Sequence, residues 1–250
     1  MGTLMVRSIL WAVAAASLFG APADLLTAAT RGAAPALNTQ QSTLGVPMQI
    51  VLLMTGLTLL PVLLMSVTPF LRITLVLHFL RQAIGTQSTP SNPVLIGLAL
   101  FLTLMIMQPV LQKSYEEGWL PYEKQTLASD AAWKKGIEPI RGFLVKYVRE
   151  KDVRMLLEVS HTPAPKTAAD LEFRILLPAY VLSELKTGFQ IGAMLFLPFL
   201  VIDLLVASVT LSVGIVQLPP AMVSSPFKIL LFVLVDGWNL VAGSLVRSFY

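Results

Sequence analysis

Ser212–Lys228, SVGIVQLPPAMVSSPFK, joins the two most apolar runs of the C-terminal third, Ile191–Leu211 and Ile229–Val246. A connection normally runs over the surface and is polar, because buried irregular backbone leaves hydrogen-bonding groups unpaired. Here Val213, Ile215, Val216, Leu218, Met222 and Val223 surround Gly214 and the Pro219-Pro220 pair, and Lys228 is the only formal charge. Irregular apolar backbone at the end of two membrane-type helices is tolerated where it is packed in protein or lines a cavity. The stretch therefore reads either as a hairpin loop buried against neighbouring helices or as a constriction in a conduit.

Composition agrees with a membrane setting. Of 250 residues, 55% are hydrophobic and 13% charged, with a mean hydropathy of +0.74, whereas soluble domains carry about a quarter charged residues. The patterning predicts an all-α membrane protein, with about four long apolar helices forming hairpins and a small helical module. The net charge is +4, and eleven of the 18 basic and ten of the 14 acidic residues lie between Lys113 and Arg174. This is no basic face built for nucleic acid. With no cysteine, disulfides, thiol nucleophiles and cysteine metal sites are excluded.

Residues 1–23 read as a signal peptide: Arg7, the apolar Ile9–Phe19, then Ala21-Pro22-Ala23 as an A-x-A site, with Ala34-Pro35-Ala36 as a second candidate. Residues 24–45 form a linker. The first apolar hairpin, 46–112, begins with Val46–Val67, long enough to cross a bilayer, with a kink expected at Pro61. Phe70–Ile84 continues as a helix ending at Gly85. After the turn Gly85–Ser91, Asn92 is expected to cap a helix opened by Pro93, and Val94–Leu111 is a second span. Arg72 and Arg81, with no acid nearby, mark the connection as cytoplasmic.

Residues 113–174 are the soluble-looking module, placed by this topology in the periplasm. Ile140, Phe143, Leu144, Tyr147 and Val148 form one helical stripe opened by Pro139, and Asp152 is placed to cap a second helix. So few large apolar side chains make a marginal core, so the module should pack on the membrane part or on its own copies. The second apolar hairpin, 175–250, carries the loop 212–228, is interrupted by Pro178 and Pro198, and ends in the span Ile229–Val246.

Ionisable groups in membrane segments are costly and need partners. Glu184 and Lys186, two apart, cannot face each other on one helix, so each must be met from another helix or subunit. Asp203 and Lys228 flank the loop and can neutralise each other. Such charges serve either as pairs that fix register and assembly or as a proton relay. In Asp236-Gly237-Trp238, Gly permits close backbone approach and Trp suits an interface. His78 and His161 stand far apart, and no HExxH, P-loop or GxSxG motif occurs. The reading is a non-enzyme without cofactor or metal.

Pro178–Phe196, PAYVLSELKTGFQIGAMLF, and Pro226–Trp238, PFKILLFVLVDGW, resemble the two signature segments of the FliP family of flagellar biosynthesis proteins, as does Ser66–Thr103. The resemblance implies a core subunit of a type III export gate in the bacterial inner membrane and flagellar basal body. It implies an oligomer of five copies with FliQ and FliR and other export-apparatus proteins, passing unfolded flagellar proteins. The apolar helices are then hairpins packed on neighbouring subunits, rising toward the periplasm. The family's methionine-rich sealing loop aligns with Gly214–Pro220, where this chain has Ile215, Val216, Gln217 and Leu218 instead; the nearest methionine is Met222. Arg72, Arg81, Glu184, Lys186, Asp203, Lys228 and Asp236 are the expected assembly charges, and Phe189, Gly192, Gly237 and Trp238 the motif packing residues. The equivalent injectisome subunit, a proton-coupled small-molecule transporter using Glu184 or Asp203, and a purely structural scaffold are the alternatives.

Overall fold

The computed structural model describes residues 45–86, 88–163, 165, 167, 170–214 and 219–250. The expected signal peptide, the linker up to residue 44 and the loop residues Ile215, Val216, Gln217 and Leu218 lie outside the described residues. Among the described residues the regular structure is all helix.

The chain divides into two units, residues 1–55 and 56–250. The first is described only from Gly45 on and supplies the start of α1 (Val46–Val67), an uncharged helix of 22 residues that continues past Pro61. At 1.5 Å per residue it is about 33 Å long, enough for a hydrocarbon layer of about 30 Å. Its Leu52, Leu53 and Val62 are exposed, as a lipid-facing or partner-facing helix requires.

The second unit is organised by two helices, α2 (Phe70–Ile84) and α7 (Phe173–Ser212). Helix α2 ends at Gly85 in the left-handed region (φ 85°), its N–H closing on the Gln82 carbonyl. Its Ile73, Val76, Leu77 and Leu80 are buried. Close approach to α7 depends on Gly188 and Gly192, one turn apart: a Cβ on Gly188 would stand 2.8 Å from Leu75 Cδ2, and one on Gly192 would run into the Phe79 ring. This is the small-residue spacing by which membrane helices bring their backbones together.

Helix α3 (Asn92–Ser114) buries Leu95, Ala99, Thr103, Ile106 and Met107, a single stripe at helical spacing, and packs on α2. One π-helical turn, Tyr115–Trp119, leads into α4 (Leu120–Glu123). There Gly118 meets Gly136 backbone to backbone, and Ser114 Oγ donates to the Gly136 carbonyl.

Helix α5 (Ser129–Tyr147) starts ten residues before Pro139, which lies inside it and does not open it. The stripe Ile140, Phe143, Leu144 and Tyr147 is helical as expected, while Val148 is already extended. Helix α6 is Glu150–Val159, so Asp152 sits in its first turn and caps nothing. Both helices lie on α7, and α5 also touches α3.

Three further expectations need correction. Pro178 and Pro198 do not interrupt α7, which runs 40 residues through both. Each proline costs the helix one hydrogen bond, a loss that α7 tolerates. Asn92 is the first residue of α3 and makes no cap; its Oδ1 accepts from Arg81 Nη1 at 2.6 Å instead. The final span is not one helix but α8 (Pro220–Leu234) and α9 (Gly237–Arg247), bent by 64°. Because α7 runs to Ser212 and α8 begins at Pro220, both ends of the 212–228 stretch are helical, Lys228 included.

Three helical segments, Pro47–Val67, Asn92–Glu123 and Phe173–Ser212, are long and apolar enough to cross a membrane, or four segments if the bent α8–α9 pair counts as one. Length separates them. Forty residues make α7 about 60 Å long. Fitting that inside about 30 Å of hydrocarbon would take a tilt beyond the usual range of about 0–40°. A large part of α7 therefore needs protein or water around it.

Candidate functional site

Four of the expected charges are satisfied within the chain. Arg72, in the first turn of α2, and Glu184, at mid-course of α7, form a two-pronged pair. Arg72 Nε donates to Glu184 Oε2 at 2.8 Å, and Nη2 donates to Oε1. Arg72 is 4% exposed and Glu184 0%. Arg72 is therefore met by Glu184 within its own chain. Its guanidinium also lies 4.0 Å from the Phe249 ring centroid, and Nη1 donates to Ser248 Oγ at 3.2 Å. Phe249 in turn stacks on Phe143, and its carbonyl accepts from the Tyr147 hydroxyl. Four separate segments thus meet on one buried ion pair.

The second pair ties α7 to α8. Asp203 Oδ2 accepts from Lys228 Nζ at 2.6 Å, and Oδ1 from Ser224 Oγ at 2.5 Å. Lys228 is 6% exposed, so its ammonium depends on this carboxylate. The pair spans the two arms of the C-terminal hairpin, nine residues before Ser212 and eight after Pro220.

The other site residues fall into two groups. Arg81 is held locally: Nη1 reaches Asn92 and the Pro90 carbonyl, and Nη2 lies 3.5 Å from His78 Nδ1, which accepts only when the imidazole is neutral. Phe189 meets Phe79 edge-on at 5.3 Å above Gly192. Gly237 is required by the bend, since a Cβ there would penetrate the Phe232 ring, and Trp238 stands edge-on to that ring at 5.4 Å. By contrast Lys186 is exposed and has no acidic partner among the described residues. Asp236, at φ 50°, precedes α9 and is exposed; its backbone carbonyl accepts from the Leu240 N–H, and among the described residues its carboxylate accepts from Asn239 Nδ2 alone, at 3.1 Å. Gly214 adopts φ 78°, a conformation glycine takes at little cost, with open space around it, and Pro219-Pro220 open α8. No group of three or more metal-ligating side chains occurs among the described residues.

Several contributors carry no local signal in the sequence. Ser183 accepts from the Arg149 N–H at 3.0 Å and donates to Asp152 Oδ2 at 2.8 Å, which fastens the start of α6 to α7. Ser224 is the exception, because it lies one turn before Lys228 on the face that meets Asp203. Ser248 and Phe249 are 176 and 177 residues from Arg72, and nothing in their immediate neighbours announces the contact.

These features define an all-α membrane protein whose apolar helices bury their charges as ion pairs between helices. Comparison with known sequences makes the class specific. The profile of the FliP family matches residues 53–245. Flagellar biosynthetic protein FliP of Pectobacterium carotovorum is 44% identical over 249 residues, 99% of this chain and 96% of that protein. Its counterpart in Caulobacter vibrioides is 49% identical over 201 residues, 80% of this chain and 76% of that protein. The Bacillus subtilis protein is 46% identical over 201 residues, 80% and 91% respectively. The chain belongs to the FliP family.

Proposed function

We propose that this chain is a membrane subunit of the flagellar protein export apparatus, part of the gate through which unfolded flagellar proteins pass. The observation that carries the reading is the family match over residues 53–245, which includes both long signature segments. In this reading several copies, five by family resemblance, assemble with FliQ and FliR in the inner membrane, with the 113–174 module toward the periplasm. The exposed apolar surfaces of α1, α7 and α8 support assembly, since a chain with this much apolar surface requires lipid or protein partners. The length of α7 favours partners for at least part of that surface.

Residues Gly214, Ile215, Val216, Gln217, Leu218, Pro219 and Pro220 form the sealing loop in this proposal. Methionine is flexible and unbranched, whereas Ile and Val are stiff at χ1 and Gln carries a polar amide. The seal here is accordingly a stiffer ring than a methionine one. Its test is Val216→Asp or Ile215→Trp in the assembled complex. Ion leakage or the export of hook and filament protein changes while the mass of the detergent-solubilised complex does not. Unchanged conductance and export in both variants would leave the loop without a sealing role. A wild-type chain that purifies as a small monomer without FliQ or FliR would remove the gate reading itself.

A further inference from the structure

In α7, α8 and α9 the interior charges are accounted for within one chain: Arg72 with Glu184, and Lys228 with Asp203. Three charges on the outer surface, Lys186, Asp236 and Arg247, have no ion pair among the described residues, and Lys186 and Asp236 are the opposite two that lie among exposed apolar side chains. Lys186 stands two residues from Glu184, about 200° around the helix, so burying Glu184 turns Lys186 outward. It is flanked by exposed Leu182 and Phe189 on the same face. Asp236 sits outward at the elbow between α8 and α9, flanked by exposed Val233 and Leu240. Each surface is apolar with one unanswered charge, and the charges are opposite. An unpaired charge on an apolar membrane helix requires a partner.

We infer that Lys186 of one copy pairs with Asp236 of the next, so that the α7 face around Lys186 docks on the α8–α9 elbow of a second copy of this chain. The inference rests on the reading of the chain as a homo-oligomer and specifies which two surfaces meet. The surfaces differ, so the contact is heterologous and repeats head to tail. It also carries an axial offset. Lys186 precedes Asp203 by 17 residues, about 26 Å of helix, while Lys228 is followed by six more residues of α8, about 9 Å. With the Asp203–Lys228 pair holding the two arms level, Asp236 lies roughly 15 Å nearer the hairpin end than Lys186. Successive copies joined this way are displaced along the helix axis.

Because the chain has no cysteine, cross-linking reports the contact without background. Two differently tagged full-length copies are coexpressed with FliQ and FliR, one carrying Lys186→Cys and the other Asp236→Cys. The membranes are then treated with a short bismaleimide. The expected product is a dimer containing both tags, absent when either cysteine is missing, and a ladder of larger products when one chain carries both. Separately, Lys186→Glu and Asp236→Asn each reduce recovery of the second tag roughly tenfold. Asn keeps the left-handed conformation and the Asn239 contact. The swap Lys186→Glu with Asp236→Lys restores recovery.

Absence of the mixed cross-link, or unaltered recovery in both single variants, overturns the pairing while leaving the oligomer reading intact. Rescue of Asp236→Lys by Arg247→Glu and not by Lys186→Glu overturns it in favour of Arg247, the other exposed cation of these helices with no ion pair among the described residues. Failure of the two wild-type copies to co-purify overturns the pairing together with the oligomer reading.

Discussion

The α2–α7 interface and the α8–α9 arm use the same materials, apolar helices sprinkled with charge, to opposite ends. Where α2 meets α7 the charges point inward and glycines admit the facing side chains. A guanidinium, a carboxylate, a hydroxyl and a ring close on one another. On the outer side of α8–α9, Leu230, Val233, Leu234 and Leu240 are exposed and, among the described residues, the Asp236 carboxylate has only Asn239 as company. The first region is finished within one chain. The second becomes energetically reasonable only when something else covers it.

The comparison breaks most sharply at Glu184. Glu184→Ala strands a buried guanidinium, and losing one partner of such a pair costs about 3–5 kcal/mol. The expected outcome is a large fall in the unfolding midpoint of the detergent-purified chain and in its yield from membranes. Replacing both partners, Arg72→Met with Glu184→Leu, recovers most of that loss, since an apolar pair of similar volume needs no counter-charge. Asp236→Asn, which keeps the left-handed backbone at that position, shifts the same midpoint by no more than about 0.5 kcal/mol, as an exposed position does. An equal loss at Asp236 would mean that the elbow is as closed as the α2–α7 interface.

Glycines sharpen the same contrast at lower amplitude. Gly192→Ala drives a methyl into the Phe79 ring and is expected to destabilise by about 1–3 kcal/mol, the usual cost of overpacking. Gly97, inside α3, has nothing within 4 Å of a Cβ, so Gly97→Ala is expected to stabilise by about 0.4–1 kcal/mol through the loss of unfolded-state freedom. Chemical denaturation of the two variants in one detergent measures both signs.

Helix positions were largely legible because their signals are local. Ile73, Val76, Leu77 and Leu80 show their stripe within one window, and the Phe70–Ile84 helix ends at Gly85 where its sequence says it should. Punctuation by proline was overread. Pro139, Pro178 and Pro198 all lie inside helices, because packing on neighbouring helices outweighs one missing hydrogen bond. The end of the last apolar run was underread: Ile229–Val246 contains an elbow at Asp236-Gly237. There the Phe232 ring, five residues back, takes the space a Cβ on Gly237 would need, a contact that exists only once the chain has bent. Charge partners divide the same way. The Asp203–Lys228 pair is inferable because a hairpin brings its two arms together. Arg72–Glu184 is not, with 112 residues between them and no motif linking them. The sealing loop proposed for Gly214–Pro220 rests on resemblance alone, since Ile215–Leu218 lie outside the described residues.

The smallest expected effect on the fold comes from the outer surface of α7. Leu204 is 62% exposed, whereas Leu176, on the same helix, is fully buried. Leu176→Ala removes packed atoms and leaves a cavity, at about 2–5 kcal/mol. Leu204→Ala leaves none, and the isolated chain is expected to change by no more than about 0.5 kcal/mol. If α7 is covered by neighbouring copies, the same Leu204→Ala weakens recovery of a second tagged copy while the unfolding midpoint stays put. If α7 faces lipid there, recovery is unaffected, because a methyl and an isobutyl group are both at home in hydrocarbon and differ little in helix propensity. The pair of measurements therefore separates what α7 does for its own chain from what it does for the assembly, at two leucines 28 residues apart on one helix.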